Sequence, residues 1–459
     1  MRKQLLVGLS AVLMLLCGCS NALTGSSSPE KNDSSEQPVP ETKEKATWLF
    51  TTTTNAPEPV TETEKNTTAA SSAAVTTTTT AATTTTSAPP EEKPSDFVPI
   101  KAVKRPELTE PVRIDSSDKG KRTELDTMEY YYCQLDEFHR KIYDAMLNSL
   151  YKAETADYKT FITVPDSLIW DFSDDFYFVY AAVMDDHPEY FRYDEFGAQL
   201  SWNYVSTEPK DGCYELYIYS AGDLEGIDKE IEELETAADA FLADIDLSGS
   251  EYEVALRVHD KLIDLVTYED PGLTKNGISY AQSCYGALVS NGVTKNAAVC
   301  EGYADAYSYL LKRLGIMCLP LEGGVASGEE YEETVEAASK IEACHTWDLA
   351  RLDGIWYEID PTWDDYSLEE QTDFVQSLLA DKQDLIYSKK HFYWCRTTRE
   401  MEDLDNFADY VYYTDGDGGE YSLVWAHNIH VRASDPGSYY YYDSGEYNYR
   451  KLIGMLPEA

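Results

Sequence analysis

The chain has 459 residues, 43% of them hydrophobic, and by length alone it can fill about two or three domains. Asp and Glu number 83 against 37 Lys and Arg, and the resulting formal net charge of −46 repels phosphate backbones. The composition therefore argues against a nucleic-acid partner and favours cationic or neutral substrates.

The amino terminus has the pattern of an export signal. Two basic residues precede an apolar run at 5–16, which is too short to span a bilayer comfortably. The run ends in Leu16-Cys17-Gly18-Cys19, which resembles the lipobox of bacterial lipoproteins. The resemblance implies a signal peptide at 1–18 and a lipid on Cys19, which would anchor the protein to the bacterial cell membrane on its extracytoplasmic side. A plain secretory signal with an incidental cysteine is the alternative.

A low-complexity segment at 19–98 follows and is rich in Thr, Ser, Ala and Pro. It contains three pure threonine runs, at 51–54, 76–80 and 83–86. Such a composition cannot bury enough apolar surface to offset the entropy lost on ordering. We therefore predict a disordered stalk that lifts the folded part away from the membrane.

Residues 99–250 are predicted to form a helical and hairpin region. Apolar residues recur at helical spacing within 125–150 and again within 172–184. Two alternating segments, 199–205 and 213–219, flank a polar turn and predict a β-hairpin. Amphipathic helices are predicted at 227–242 and, in the next region, at 251–266, where Val254, Val258, Leu262 and Leu265 share one stripe.

A later helix carries a cysteine at its first position. The sequence Ala298-Val299-Cys300-Glu301-Gly302 leads into an apolar stripe that runs to Leu314, and Gly315 is the expected C-terminal stop. A thiol at a helix N-terminus lies beside unpaired amide hydrogens and the positive end of the helix dipole, which favours the thiolate. This pattern fits a nucleophile, but it also fits a buried structural cysteine.

The cysteine count leaves room for a free thiol. Of nine cysteines, Cys17 and Cys19 belong to the signal and the anchor, and the remaining seven cannot all pair within one chain.

A candidate base lies on a predicted hairpin. Two strand-like segments, 344–352 and 355–360, are joined by Asp353-Gly354, which is a strong hairpin signal. With that pair as a two-residue loop, His345 and Asp360 become diagonal neighbours about 7 Å apart on one face. Asp360 can then fix the tautomer of His345 and leave its other ring nitrogen facing a nucleophile. A register slip of one residue would separate the two side chains.

Together these motifs resemble the transglutaminase-like cysteine enzyme superfamily, particularly its bacterial extracytoplasmic members. The resemblance implies an α+β fold at 251–404, with a papain-like core in which the cysteine helix packs on an antiparallel sheet. It also implies a catalytic triad of Cys300, His345 and Asp360. The chain departs from the pattern at Asp348, where relatives often have asparagine, and in an acidic insertion at 327–342. The matching segments are Tyr285-Gly286-Ala287-Leu288, Cys300-Glu301-Gly302-Tyr303, His345-Thr346-Trp347-Asp348 and Asp353-Gly354-Ile355-Trp356-Tyr357-Glu358-Ile359-Asp360-Pro361.

The reaction implied by the resemblance is acyl transfer from an amide bond of a peptide or protein, through a thioester on Cys300. Water as the acceptor gives a peptidase or amidase, and an amine gives a cross-linker. Water is the default acceptor, and the sequence shows no amine site. Cell-wall peptides and exported proteins are the expected substrates at such a location.

Other residues are weaker candidates for the site. For substrate binding or the oxyanion pocket these are Gln282, Tyr285, Trp347 and Trp363, each of which packing explains at least as well. His259 is expected to lie at the surface or to cap a helix. We expect no cofactor and no metal, because no Cys or His pairs show ligand spacing.

The C-terminal segment, 405–459, is tyrosine-rich and strand-like. Its acidic loop at 415–419 lacks the later ligands of an EF-hand, so a solvent-exposed hairpin turn is favoured over a calcium site. The 36 tyrosines of the chain also support an alternative function. In this alternative the protein is a non-catalytic surface protein that binds wall polymer, carbohydrate or protein, although such a protein would not need an intact triad.

Overall fold

A computed structural model describes most of the chain after residue 107, namely 108, 110–125, 127–150, 159–193, 198–269, 279–326, 345–367, 376–377, 379–380, 382–402, 408–414, 420–426, 429–432 and 455–459. The predicted signal peptide, the stalk, the lipidation site Cys19, the acidic insertion and the 415–419 loop lie outside these residues. Among the described residues, no helix combines the length and the apolar character needed to cross a membrane.

The fold is α+β. The described α-helices are α1 (Tyr130–Gln134), α2 (Glu137–Leu150), α3 (Phe172–Asp186), α4 (Ile227–Ala243), α5 (Glu251–Leu265), α6 (Cys284–Leu288), α7 (Cys300–Leu314), α8 (Pro361–Asp364), α9 (Gln383–Lys390) and α10 (Thr398–Met401). Short 3₁₀ turns lie at Ser116–Asp118, Asp166–Leu168, Pro188–Tyr193 and Tyr280–Gln282. The described strands are β1 (Val112–Arg113), β2 (Thr160–Pro165), β3 (Ala198–Tyr204), β4 (Cys213–Gly222), β5 (Thr267–Tyr268), β6 (Ala297–Ala298), β7 (Cys318–Ala326), β8 (His345–Leu352), β9 (Ile355–Ile359), β10 (Ala408–Thr414), β11 (Glu420–Ala426) and β12 (Ile429–Arg432).

The N-terminal part is built on a four-stranded sheet in the order β1-β2-β4-β3. The hairpin predicted at 199–219 is present as β3 and β4, which pair antiparallel. The helical pattern within 125–150 forms two helices rather than one. The side chain of Asp136 accepts a hydrogen bond from the backbone N–H of His139 at 3.0 Å, so it caps α2 and separates it from α1.

The C-terminal part is built on a second four-stranded sheet, in the order β12-β7-β8-β9. Helix α7 packs on β7 and β8. Strand β12 pairs antiparallel with β7, with His430 opposite Val325. A strand from the predicted C-terminal segment, 405–459, therefore completes the sheet that carries His345.

Helix α7 forms where the sequence predicts it. It begins at Cys300 and ends at Leu314. Gly315 follows as the C-cap, and its φ of 82° is the left-handed conformation that glycine adopts readily. Ala304, Tyr307 and Leu311 are fully buried in the core beneath it. The predicted stripe on α5 is wrong at one position, because Leu265 is 39% exposed whereas Val254, Val258 and Leu262 are buried.

Candidate functional site

The predicted hairpin holds His345 and Asp360 together. Strands β8 and β9 pair with Leu352 opposite Ile355, so Asp353 and Gly354 form the two-residue loop. Both loop residues have positive φ, 51° and 85°, as a type I′ turn requires. This register brings Nε2 of His345 to 2.6 Å from Oδ2 of Asp360.

Asp360 is fixed on all sides by hydrogen-bond donors. Its Oδ1 accepts from the backbone N–H groups of Thr362 and Trp363, at 2.9 and 3.1 Å, and it thereby caps α8. Burial alone would raise the pKa of this carboxyl, but the charge and hydrogen bond of His345 and the hydrogen bond of His430 hold the pKa well below its usual range. Asp360 is therefore an ionised carboxylate that can only accept hydrogen bonds.

The ionised state of Asp360 sets the tautomer of His345. Because the carboxylate can only accept, Nε2 of His345 carries the hydrogen, and Nδ1 is left for another partner. Cys300 lies close enough to His345 to contribute to its pKa. Burial lowers the pKa of His345, but the charge and hydrogen bond of Asp360, with a further contribution from Cys300, outweigh burial and raise it. The imidazole can thus take the thiol proton and hold it.

A second histidine contacts Asp360, and the sequence motifs do not indicate it. Nε2 of His430, on β12, also lies 2.6 Å from Oδ2 of Asp360, and the two side chains are 70 positions apart. His430 is 1% exposed and packs against the rings of His345, Trp347 and Tyr393. We name His345, Asp360 and His430 the inner cluster. Its third member depends on strand pairing with β7, which the sequence pattern did not reveal.

The start of α7 has the close packing that an oxyanion pocket needs. A Cβ at Gly302 would meet the backbone oxygens of Ala281 and Ser283 at 2.5 and 3.0 Å, so only glycine lets these residues approach the first helical turn. Gln282 lies between them and is half-buried. The backbone N–H of Cys300 and the side chain of Gln282 stay the candidate oxyanion donors predicted from the sequence.

Two of the weaker candidates are engaged in packing. Trp347 is fully buried, its ring stacks on His345, and its Nε1–H donates to Glu358 at 2.7 Å. The hydroxyl of Tyr285 donates to Glu233 on α4 at 2.6 Å, which ties α6 to α4. These contacts fit the packing explanation of both residues, and their substrate-binding role stays a prediction. Trp363 is half-buried with its ring edge-on to His345, at 6.1 Å between centroids, and stays a candidate wall of the site.

A cleft opens beside the start of α7. Its lining includes Glu301, which follows Cys300, and Thr346, which follows His345. Three further carboxylates line it, those of Asp185, Asp305 and Glu322. The cleft also contains His187, and neither Cys300 nor His345 is among its lining residues.

The departure at Asp348 is a buried carboxyl group. The thiol of Cys318 donates to its Oδ1 at 3.4 Å, and its side chain is fully buried. Burial raises the pKa of Asp348 well above its ordinary value. A neutral carboxylic acid and an asparagine amide have similar size and polarity, so asparagine would fit this position.

The described cysteines are unpaired. Cys300, Cys133 and Cys213 are partly exposed thiols, whereas Cys284, Cys318 and Cys395 are buried. Cys344 lies outside the described residues. The free thiol that the odd cysteine count indicated is therefore available at Cys300.

His259 does not lie at the surface, contrary to the sequence interpretation. It is fully buried, with Nδ1 at 3.1 Å from Asp260, whose carboxylate is also 2.7 Å from Nε2 of His391. We name His259, Asp260 and His391 the outer cluster. In each cluster one ligand atom per residue lies within 4.8 Å of the others, close enough to hold a metal ion. The expectation of no metal rested on spacing along the chain, which could not show contacts between residues 70 and 131 positions apart.

Comparisons with known proteins give little beyond this geometry. No protein-family model matches the sequence, and no curated protein matches it significantly. A solved structure of a candidate cysteine protease from Cytophaga hutchinsonii is 13% identical, with a TM-score of 0.20, over 36% of this chain and 64% of that one. A candidate protease from Parabacteroides distasonis is 13% identical, with a TM-score of 0.18, over 44% of this chain and 39% of that one. The chain thus spans less than two thirds of either structure, and at these TM-scores neither likeness bears on its activity.

Proposed function

We propose that the protein is a thiol enzyme that acts on amide bonds of peptides or proteins, with Cys300, His345 and Asp360 as its triad. One observation carries the proposal: Nε2 of His345 donates to Asp360 at 2.6 Å, and Cys300, at the first position of α7, lies close enough to His345 to raise its pKa. A nucleophile, a base and an orienting carboxylate in this order are what acyl transfer needs. The motifs that resemble the transglutaminase-like superfamily support the same reaction.

Each step can be assigned to an atom. Nδ1 of His345 accepts the thiol proton, and the thiolate attacks the amide carbonyl to form a tetrahedral intermediate. The backbone N–H of Cys300 and the amide of Gln282 are the proposed donors to its oxyanion. The C–N bond then breaks, the imidazolium protonates the departing amine, and a thioester remains on Cys300. Attack by water on the thioester releases a carboxylic acid and restores the thiol.

Hydrolysis is the proposed outcome over cross-linking. Water needs no binding site of its own, whereas an amine acceptor has to be held near the thioester. The same three residues would serve either acceptor, so the distinction depends on the surroundings of Cys300 rather than on the triad. The formal net charge of −46 favours a substrate with a cationic or neutral group over an anionic one.

The proposed location follows from the amino terminus. A lipidated Cys19 and a stalk at 19–98 would place the enzyme outside the cell and close to the wall. Wall peptides, some of which carry free amines, and exported proteins are then the substrates that it meets. These assignments rest on sequence alone.

The binding-protein alternative is weakened by where the tyrosines lie. Eleven tyrosines of the described part are buried, among them Tyr143, Tyr303 and Tyr307 in the cores. Tyr268 and Tyr387 are the tyrosines among its exposed large hydrophobic side chains. These eleven tyrosines therefore stabilise the fold rather than forming a recognition surface. The run at 439–442, part of the appeal of this alternative, lies outside the described residues.

Product release from defined amides tests the proposal. Wall peptides and glutamine-containing proteins would be incubated with the protein, with and without a primary amine, while released amine, ammonia and new amide bonds are measured. We expect release without added amine, reduced to background in Cys300→Ala and unchanged in Cys133→Ala, which removes another partly exposed thiol. Release that survives Cys300→Ala would overturn the proposal, and product formed only with added amine would replace hydrolysis by cross-linking.

A further inference from the structure

The outer cluster joins two helices and shares no residue with the proposed triad. His259 and Asp260 are consecutive residues of α5, and His391 is the first residue after α9. Asp260 lies between the two imidazoles and contacts both, and the two ring centroids are 5.6 Å apart. The side chain of Asp260 is 43% exposed, so the centre of the cluster is open to solvent.

A hydrogen bond orients one imidazole, and a carboxyl group faces the other. Nδ1 of His391 lies 2.7 Å from the carbonyl oxygen of Tyr387, which can only accept a hydrogen bond. Nε2 of His259 lies 3.4 Å from Oδ2 of Asp364, a fully buried carboxyl group, without a hydrogen bond between them. Histidines that bind metals nearly always donate their second ring N–H to a carbonyl or carboxylate, as His391 does here. The remaining nitrogens, Nδ1 of His259 and Nε2 of His391, both face Asp260.

The dimensions suit a small transition-metal ion. With metal–nitrogen bonds of about 2.0–2.1 Å and tetrahedral angles, two imidazole centroids lie about 5 Å apart, close to the observed 5.6 Å. Ligand atoms around such an ion are about 3.3 Å apart, so Asp260 has to withdraw by a few tenths of an ångström from each ring. Its partly exposed side chain permits this movement. Two imidazoles and one carboxylate are ligands preferred by zinc-like ions rather than by calcium or magnesium, which favour oxygen.

We propose that His259, Asp260 and His391 bind a divalent transition-metal ion of the zinc class, with the fourth position open to solvent. The ion would lie between Asp260 and the two ring nitrogens that face it. Because the ligands come from α5 and from the end of α9, the ion cross-links two helices 131 positions apart. It would also hold Asp364, at the end of α8, through the second nitrogen of His259. The site does not depend on the proposed thiol chemistry.

Zinc binding can be measured without any activity. The parent background would be Cys300→Ala, which removes the proposed catalytic thiol as a competing metal ligand. Equilibrium dialysis with Zn²⁺, and the visible spectrum with Co²⁺, would be compared for this parent and for the added substitutions His391→Gln and Asp260→Asn. We expect one tightly bound ion in the parent, with a tetrahedral Co²⁺ spectrum, and at least about 100-fold weaker binding in both variants.

Two controls keep the test decisive. His139→Gln changes another partly buried histidine that is hydrogen-bonded to aspartates, and binding should be unchanged. His430→Gln alters the inner cluster, and binding should again be unchanged. Asp260→Asn keeps a hydrogen-bond acceptor between the rings, so a folded variant is expected even if His391→Gln proves unstable. Parent-like binding in Asp260→Asn and His391→Gln, or loss of the ion in His430→Gln alone, would overturn the proposal.

Discussion

The inner and outer clusters each consist of one aspartate between two histidines. They lie near opposite ends of α8. Asp360 caps the start of that helix, and Asp364 at its end faces His259. In the inner cluster both histidines contact one buried oxygen, and a thiol lies next to one ring. In the outer cluster the aspartate is half-exposed, and the remaining ring nitrogens face a carbonyl and a carboxylate.

The difference shows that surroundings, rather than residue types, decide the chemistry. Asp360 is fixed by two backbone N–H groups, so it holds the charge of one imidazolium and fixes its tautomer. Asp260 has solvent on one side and can move, which suits a metal ligand better than an orienting carboxylate. Equivalent substitutions in the two clusters should therefore have different effects.

The largest difference is expected between Asp360→Asn and Asp260→Asn. Loss of the inner carboxylate removes the partner that fixes the tautomer of His345, and kcat/KM should fall by about 10²–10⁴-fold. Asp360 also raises the pKa of His345, so the variant should lose its imidazolium proton donor at lower pH. The alkaline limb of the pH–rate profile should move to lower pH accordingly. Asp260→Asn should change kcat/KM by less than about 3-fold, and equal losses would remove the distinction.

Asp364→Asn should weaken metal binding and spare catalysis. Asparagine can still accept the hydrogen bond that Asp364 receives from the backbone N–H of Tyr393, at 2.9 Å. It cannot offer a charged acceptor to Nε2 of His259, so Zn²⁺ affinity should fall by about 10–100-fold. Steady-state kinetics without added metal should stay within about 3-fold of the parent. A large kinetic loss with unchanged Zn²⁺ affinity would assign Asp364 to the inner cluster instead.

His430→Ala should have a smaller effect on catalysis. Asp360 keeps three donors after this change, two backbone N–H groups and His345, so its position is loosened rather than lost. We expect kcat/KM to fall about 10-fold, equivalent to about 1.4 kcal/mol in the barrier. His430→Gln keeps a donor to Asp360 and should restore most of this loss. Failure of glutamine to restore activity, with the fold intact, would show that His430 does more than position Asp360.

The smallest effect is expected at Asp348, a buried carboxyl with no histidine beside it. Burial raises its pKa in the folded protein, whereas the unfolded chain ionises near its ordinary pKa of about 3.9. Folding is therefore penalised increasingly as pH rises above that value. Asp348→Asn removes the penalty, and its stability gain over the parent should grow from pH 4 to pH 7, to about 1–2 kcal/mol. Denaturant unfolding at pH 4 and pH 7 measures the free energy of unfolding of parent and variant. The same difference between them at both pH values would contradict the prediction.

The opposite dependence of stability on pH is expected for a carboxylate that does contact a histidine. Burial raises the pKa of Asp136, but hydrogen bonds from His139 and from the backbone outweigh it and lower the pKa to about 2. Its contribution to stability is present above its unfolded pKa and is lost as pH falls. Asp136→Asn should therefore cost stability at pH 7 and little at pH 2, which makes it a control for Asp348→Asn.

Local patterns predicted much of this architecture. The glycine stop at Gly315, the Asp353-Gly354 turn and the resulting approach of His345 to Asp360 are consequences of short-range rules, and each is present in the structure. His430 and the outer cluster depend on contacts between distant segments, which a single sequence does not encode in its spacing. The burial of His259 was missed for the same reason, because its partner Asp364 lies on another element.

The reactivity of the Cys300 thiol tests the central claim most directly. A small thiol-reactive probe would be added at neutral pH, and the labelled cysteines identified by mass spectrometry, with Cys133 and Cys213 as partly exposed internal controls. We predict rapid labelling of Cys300, strongly slowed in His345→Ala while the two control thiols react as before. Labelling of Cys300 no faster than the controls, and insensitive to His345→Ala, would contradict the account.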